Sequence, residues 1–123
     1  MSFVIPTFRY PDARAAIDFL CSAFGFTEHA IHQRDGIVHH AELRLGDEGW
    51  VMLGQDRDDG GEYPSGPSTT YVTVDDPDAH HARAVAAGAE IVQALVDQDY
   101  GSREYAAKDL AGNVWSFGTY RPA

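Results

Sequence analysis

The feature that most constrains the fold of this chain is an internal repeat. Residues 10–26 read Tyr-Pro-Asp-Ala, then an apolar helical stretch, then Gly-Phe. Residues 76–89 read Asp-Pro-Asp-Ala, then a second helical stretch, then Gly-Ala. Self-similarity of this kind indicates two copies of one supersecondary unit. With 123 residues in total, the chain is expected to form a single domain that contains both copies.

Each repeat contains one predicted helix, bounded by a proline and a glycine. Pro11 and Pro77 are expected at the first helical positions, where the missing amide hydrogen costs nothing. Gly25 and Gly88 can take the left-handed conformation that ends a helix. Apolar residues of the first helix, Cys21 among them, recur with a period of 3.6 and should face a sheet. The expected stripe of the second helix consists of Ala79, Ala82, Val85 and Ala86.

Strand-like runs surround both helices, with one run before each helix and three after it. The predicted strands are residues 4–9, 28–32, 39–45 and 50–54, then 69–74, 90–93, 103–107 and 114–120. The order is therefore βαβββ, twice. The predicted first module is residues 1–56 and the second is residues 69–123. Residues 57–68, rich in glycine, proline, aspartate and serine, are predicted to be the linker.

Charge and cysteine content exclude several functional classes. Nine basic and 19 acidic side chains give a net charge of -10, which repels nucleic acid and anionic membranes. The acidity serves solubility, or alternatively favours cationic ligands. The chain has one cysteine and therefore no intrachain disulfide. It also has no apolar run near ~20 residues, so neither a signal peptide nor a membrane span is predicted. A cytoplasmic location is expected.

Two segments carry a resemblance to a known family. Residues 100–113 read Tyr-Gly-Ser-Arg-Glu-Tyr-Ala-Ala-Lys-Asp-Leu-Ala-Gly-Asn, which resembles the Gly-x-Arg-Glu-Phe … Asp-Pro-x-Gly-Asn segment of bleomycin-resistance-like proteins. Residues 16–26 resemble the first-helix signature of the same superfamily, the vicinal oxygen chelate or glyoxalase/bleomycin resistance/dioxygenase superfamily. Leu110 stands where the family usually has proline.

The resemblance implies an α+β fold. Two tandem βαβββ modules would form curved mixed sheets that enclose a cup, with the helices on the outer face. Members of this superfamily bind ligands inside such cups and commonly form homodimers, so a homodimer and a small-molecule ligand are expected here.

The resemblance also allows the metal site of the enzymatic members to be tested. Those members hold a divalent ion with His, Gln or Glu at four strand positions. The corresponding residues here are Ile5, Met52, Thr69 and Ser116. A slip of two residues on the first strand would substitute Phe3 or Thr7. None of these side chains is a usual ligand for a divalent cation, so neither a metal nor another cofactor is expected, and no catalytic residue is assigned.

The histidines do not suggest a metal site of another kind. His80 and His81, early in the second helix, are expected to face solvent. His39 and His40 are adjacent on a strand and therefore point to opposite faces. By family alignment His40 lies on the concave face, where it could form an acid–base pair with Glu42.

Strand alternation gives a set of side chains on that concave face. The predicted ligand-binding residues are Thr7, His40, Glu42, Trp50, Met52, Tyr71, Thr73, Glu104 and Ser116. Trp50 and Tyr71 offer flat faces for stacking or for holding a cation, although filling the core is an alternative role for both. Glu104 offers negative charge to a basic ligand; alternatively, it forms an ion pair with Arg103 or Arg44.

The functional hypothesis is a metal-free protein that binds or sequesters a small molecule, with a cationic molecule as one candidate. Drug binding of the bleomycin-resistance type is its specific version. The rival hypothesis is a metal-dependent enzyme of the glyoxalase or dioxygenase type with non-standard ligands. A third alternative is an interaction module whose cups are filled by its own side chains.

Overall fold

The computed structural model describes residues 3–56 and 67–122, and both predicted βαβββ modules are present there. The first module consists of β1 (Thr7–Tyr10), α1 (Ala13–Phe24), β2 (Thr27–Arg34), β3 (Ile37–Leu45) and β4 (Gly49–Gln55). The second consists of β5 (Thr69–Thr73), α2 (Pro77–Ala86), β6 (Glu90–Asp97), β7 (Arg103–Lys108) and β8 (Val114–Gly118). Most of the predicted linker, residues 57–66, lies outside the described residues. Neither α1 nor α2 has the length and apolar character needed to cross a membrane.

Each module forms one mixed four-stranded sheet. The strand orders are β1-β4-β3-β2 and β5-β8-β7-β6. In both sheets the first strand runs parallel to the last, and the other pairs are antiparallel. The helix returns the chain to the far edge of the sheet, so that the last strand can enter beside the first. The predicted fold class is confirmed.

Helix α1 begins at Ala13, two residues later than the proline rule predicts. Asp12 is the N-cap, and its carboxylate accepts a hydrogen bond from the Ala15 amide at 3.0 Å. Pro11 therefore lies outside the helix, because capping by a carboxylate next to it satisfies the free amides better. At the other end Gly25 takes the predicted left-handed conformation, with φ of 86°. Cys21 packs against the core as expected, and burial is the main cause that raises the pKa of its thiol.

Helix α2 begins as predicted but is rotated relative to the predicted stripe. Asp76 caps it and Pro77 follows at the start of the helix. The predicted stripe was wrong, because its four members, Ala79, Ala82, Val85 and Ala86, are all exposed. Pro77 and Ala84 are buried instead, and His80 and His81 between them are half-buried. Aromatic histidine rings fill more space under the helix than alanine methyl groups, which a pattern based on polarity does not register.

The prediction that His80 faces solvent was therefore wrong. Its ring packs on Phe117, with 4.2 Å between the ring centroids. One ring nitrogen contacts the Tyr105 hydroxyl at 2.5 Å and the other lies 2.8 Å from the Phe24 carbonyl oxygen. His80 thus connects α2 to the end of α1 and to the second sheet.

The two sheets share one core through their helix-covered faces. Phe8 of β1 contacts Trp115 of β8, with ring centroids 5.3 Å apart, and Phe24 of α1 contacts Phe117 at 4.8 Å. Side chains alternate along a strand, so Thr7 and Ser116, the neighbours of Phe8 and Trp115, point to the opposite sides of their sheets. The faces that carry the predicted ligand-binding residues consequently point away from the shared core.

Candidate ligand-binding site

The predicted ligand-binding residues lie on two sheet faces. The first candidate face, on the sheet of the first module, carries Thr7, His40, Glu42, Trp50 and Met52. The second candidate face, on the sheet of the second module, carries Tyr71, Thr73, Glu104 and Ser116. Within residues 3–56 and 67–122, none of the hydrogen bonds, ion pairs or ring contacts joins one face to the other. Within these residues the two candidate faces are therefore separate from each other.

Trp50 lies on the first candidate face outside the shared core, so the core-filling alternative does not apply to it. The ring of His29 stands perpendicular to the indole, with centroids 4.8 Å apart. A β-bulge between Glu28 and Ala30 interrupts the strand register at His29. The guanidinium carbon of Arg44 lies 5.2 Å from the centre of the Trp50 ring. The chain's own arginine therefore already occupies a cation position over this indole.

His40 and Glu42 form a pair on the same face. Nε2 of His40 lies 3.1 Å from Oε2 of Glu42, and the His32 ring is 5.8 Å from the His40 ring. A hydrogen-bonded imidazole and carboxylate can transfer a proton to or from a ligand. In the described part of the chain, no three His, Cys, Asp or Glu side chains gather as a possible metal cluster.

The second candidate face contains a buried carboxylate, Glu104, which is only 6% exposed. Tyr100 donates a hydrogen bond to Oε1 at 2.5 Å. Tyr71 and Ser102 donate to Oε2 at 2.8 and 2.9 Å. Three neutral hydroxyl groups thus hold one negative charge inside this face.

The alternative role of Glu104, an ion pair with Arg103 or Arg44, was wrong. Arg103 points to the other side of its strand and binds Asp78 at 3.0 Å and Asp97 at 3.2 Å. Arg44 binds Asp47 at 3.7 Å. None of the ion pairs within the described residues includes Glu104.

The environment of Glu104 keeps its carboxylate ionised. Burial raises the pKa of Glu104, but the hydrogen bonds from Tyr100, Tyr71, Ser102 and Gln98 together outweigh burial, and the net pKa is lowered. The hydrogen bond that Tyr100 donates to Glu104 raises the pKa of the Tyr100 hydroxyl to about 12. At neutral pH the group therefore consists of an anion and neutral phenols.

Sequence reasoning missed Tyr100, Ser102 and Tyr120, which surround Glu104 and Tyr71. The Tyr120 ring is nearly perpendicular to those of Tyr71 and Tyr100, at centroid distances of 6.3 and 6.2 Å. All three missed residues share the even-numbered alternation of Glu104 and Ser116. Alternation along the predicted strand 114–120 would have found Tyr120, and extending it one residue before β7 would have found Ser102. Tyr100 lies in a turn in which Gly101 has a φ of 91°, so strand alternation does not reach it.

The remaining predicted residues have simpler surroundings. Thr73 donates a hydrogen bond to the Tyr120 carbonyl oxygen at 2.7 Å. Ser116 is half-buried between Tyr71 and Ala106, its neighbours in the sheet. Thr7 is exposed and Met52, beside it, is half-buried.

An open hollow of about 600 Å³ lies elsewhere, at the outer edge of the first sheet. It is lined by Ile31, His32, Gln33, Arg34 and His39. None of the predicted ligand-binding residues lines it.

Comparison with known proteins establishes the family. The sequence profile of the Glyoxalase/Bleomycin resistance protein/Dioxygenase superfamily matches residues 3–117. The chain belongs to this superfamily. Among curated relatives, uncharacterized proteins of Mycobacterium bovis and Mycobacterium tuberculosis are 40% identical over 117 residues. These alignments cover 87% of this chain, and 76% and 68% of the two relatives.

Solved structures of the superfamily fold agree with this assignment. TioX from Micromonospora sp. ML1 is 33% identical, with a TM-score of 0.85, and the match covers 98% of this chain and 100% of TioX. The bleomycin-binding protein of Streptomyces verticillus, solved with copper(II)-bleomycin, has a TM-score of 0.69 at 22% identity and is covered over 98% of both chains. At that identity the likeness concerns the fold.

Strand register refines the four superfamily metal positions. In the first sheet Thr7, rather than Ile5, pairs with Met52. In the second, Tyr71, rather than Thr69, pairs with Ser116. With either register the positions offer hydroxyl groups, a thioether or an alkyl chain, and no imidazole or carboxylate. These residues do not fit the divalent cation of the superfamily's enzymes.

Proposed function

We propose that the protein binds and sequesters a small molecule on its two candidate faces, without a metal ion and as a homodimer in the cytoplasm. Drug binding of the bleomycin type is the specific form of this proposal. The fold shared with a bleomycin-binding protein supports it, since that scaffold accommodates such a ligand.

The observation that carries the proposal is the pair of outward faces that combine aromatic and polar side chains. Trp50 and Tyr71 lie outside the shared core, and Tyr71 is 41% exposed. Glu42 and Glu104 add negative charge close to them. Aromatic surface with a few converging polar groups is typical of small-molecule sites.

The arrangement of the two faces supports the homodimer. Because both faces point away from the shared core, one chain cannot close them over a single ligand. A second copy can bring the first candidate face of one chain against the second candidate face of the other. Two equivalent sites would result from one two-fold axis.

A second candidate function is a metal-dependent enzyme with non-standard ligands. The His40–Glu42 pair at 3.1 Å favours it, because such a pair can serve as a base. Elemental analysis of untagged, purified protein separates the two functions. The binding proposal predicts less than stoichiometric Ni, Zn, Mn and Fe, and one equivalent of any of them would contradict it.

A thermal-shift screen tests the binding itself. Cationic drugs, aromatic metabolites and 2-oxoaldehyde adducts are the compounds to include. A ligand at 100 times its dissociation constant stabilises the folded protein by about 2.7 kcal/mol, which is readily measured as a rise in Tm. A complete absence of stabilising compounds, neutral or charged, would count against the proposal.

A further inference from the structure

Three exposed tyrosines stand around the buried carboxylate of the second candidate face. Tyr71, Tyr100 and Tyr120 are 41%, 59% and 48% exposed, and we call them the tyrosine cage. The Tyr120 ring is at 86° to Tyr71 and at 88° to Tyr100. These edge-on contacts hold the three rings together beside the Glu104 carboxylate.

Glu104 gives the cage a negative charge that no ion pair within residues 3–56 and 67–122 neutralises. Within the described residues its partners are neutral, three hydroxyl groups and the Gln98 side chain, and the ion pairs there do not include it. By contrast, the Trp50 ring of the first candidate face already has the Arg44 guanidinium over it. Of the two candidate faces, the second is therefore the one whose aromatic rings have no arginine or lysine of the described residues over them.

The hydrogen bonds of Glu104 determine which kind of cation fits. Tyr100 uses one carboxylate oxygen, Tyr71 and Ser102 use the other, and the Gln98 side chain donates a further hydrogen bond. These four donors match the roughly four acceptor sites of a carboxylate. A primary ammonium or a guanidinium group would have to displace these hydroxyls to donate its own N–H bonds. An alkylated ammonium has no such bonds to satisfy, and aromatic faces attract it through the ring quadrupole.

The cage is maintained by close packing at its base. Gly118 lies under the Tyr71 hydroxyl and the Glu104 side chain, and a Cβ atom there would overlap both. The Tyr120 amide donates to the Tyr71 hydroxyl at 3.1 Å. Tyr71 is thus fixed by the backbone as well as by Glu104, so the site is preorganised.

We infer that the tyrosine cage binds an alkylated ammonium group of the ligand, with Glu104 as its buried counter-charge. This inference rests on the proposed function, since it names the ligand class of one of the two candidate faces.

The test uses choline and its neutral carbon isostere, 3,3-dimethylbutan-1-ol, on the full chain. NMR titration of the Tyr120 amide reports binding at the cage. Choline is expected to bind at least about tenfold more tightly than the isostere, and more tightly than ethanolamine, whose ammonium carries N–H bonds. Equal affinity for choline and the isostere would overturn the inference.

Two variants locate the binding. Tyr120→Leu removes one aromatic face but keeps the backbone bond to Tyr71, and should weaken choline binding about three- to tenfold. Glu104→Gln should weaken it by at least about tenfold. Glu90→Gln, which removes an exposed carboxylate that pairs with Lys108, is the matched charge control and should bind choline as wild type. Wild-type affinity in Tyr120→Leu would overturn the inference even if Glu104→Gln failed to fold.

The inference and the proposed function fail in different ways. If neutral aromatic compounds stabilise the protein and choline does not bind, the cage assignment is wrong and the proposed function stands. If no compound of any class binds, the proposed function is wrong as well.

Discussion

Among single residues, His80 shows how much one buried ring contributes to this fold. Its ring nitrogens contact the Tyr105 hydroxyl of the second module and the Phe24 carbonyl at the end of α1 in the first module, so the two modules meet at one side chain. Burial lowers the pKa of His80. The bond to the Phe24 carbonyl raises it, and the positive charge of nearby Arg83 lowers it further, so the net pKa is lowered. The neutral ring is therefore the form that the folded protein prefers.

This preference predicts acid sensitivity. The pKa of a histidine in the unfolded chain is about 6.5, and the pKa of His80 in the folded protein is lower. Between these two pKa values the unfolded state binds more protons than the folded state. The stabilisation by neutral His80 is therefore complete above about pH 6.5 and is lost as the pH falls through the pKa of His80 in the folded protein. Urea midpoints measured from pH 7.5 to 5.5 should fall in wild type and fall less in His80→Gln.

His81→Gln is the matched control for this prediction. His81 is the next residue of the same helix, and its ring contacts Tyr105 edge-on at 5.0 Å. This variant should retain the pH dependence of wild type. An identical pH dependence in wild type and His80→Gln would contradict the assignment.

Gly118 is the second residue whose substitution has a predictable effect. A methyl group at this position overlaps the Tyr71 hydroxyl and Glu104, and neither neighbour can move without breaking hydrogen bonds. Gly118→Ala should lower the free energy of unfolding by about 1–3 kcal/mol, the usual cost of overpacking. Urea denaturation measures it, and an unchanged midpoint would show that the Glu104 group is loosely held.

At the scale of secondary-structure elements, the β7–β8 turn joins the modules through Asp109. Oδ2 of its carboxylate accepts hydrogen bonds from Tyr10 of β1 at 2.6 Å and from Trp115 of β8 at 3.0 Å. Oδ1 accepts from the Ala111 and Asn113 amides, both at 3.0 Å. One buried side chain thus closes the turn and ties it to the first module.

Removing this acceptor should be costly. Asp109→Asn replaces one carboxylate oxygen by an NH2 group, so the donors that face that oxygen lose their acceptor. The variant should reduce the free energy of unfolding by about 2–4 kcal/mol. Tyr10→Phe, which loses one of these bonds, should cost about 1 kcal/mol. Asp99→Asn in the exposed turn before β7 changes the net charge equally and should stay near wild type. Chemical denaturation that ranks Asp109→Asn with Asp99→Asn would contradict this role.

The elements were largely predictable because their signals are local. Alternation, helical periodicity and turn residues gave, in the correct order, the eight strands and two helices found in the described residues. The orientation of α2 was not predictable, since it depends on hydrogen bonds that His80 makes to residues remote in sequence. Two partners of Glu104, Tyr100 and Ser102, were also missed because they precede β7 in a turn, whereas Tyr71 on another strand was predicted on the same face. Alternation assigned the predicted ligand-binding residues to shared faces. Ligand binding by these residues stays a prediction, because it depends on the chemistry of the ligand and not on the strand pattern.

For the whole molecule, the outward orientation of the two candidate faces predicts self-association. Light scattering coupled to size-exclusion chromatography should give a mass about twice the 13.5 kDa of one chain. Each candidate face would then gain an opposing face from the second copy, which it lacks in the single chain. A monomer throughout the micromolar concentration range would contradict the homodimer and leave each face to bind alone.

The most direct test of metal-free binding is calorimetric titration of the strongest compound from the thermal-shift screen, before and after treatment of the protein with EDTA. The affinity should be the same in both titrations, because side chains alone would hold the ligand. Loss of binding after EDTA, restored by adding back one divalent metal, would contradict the central claim and favour the enzyme.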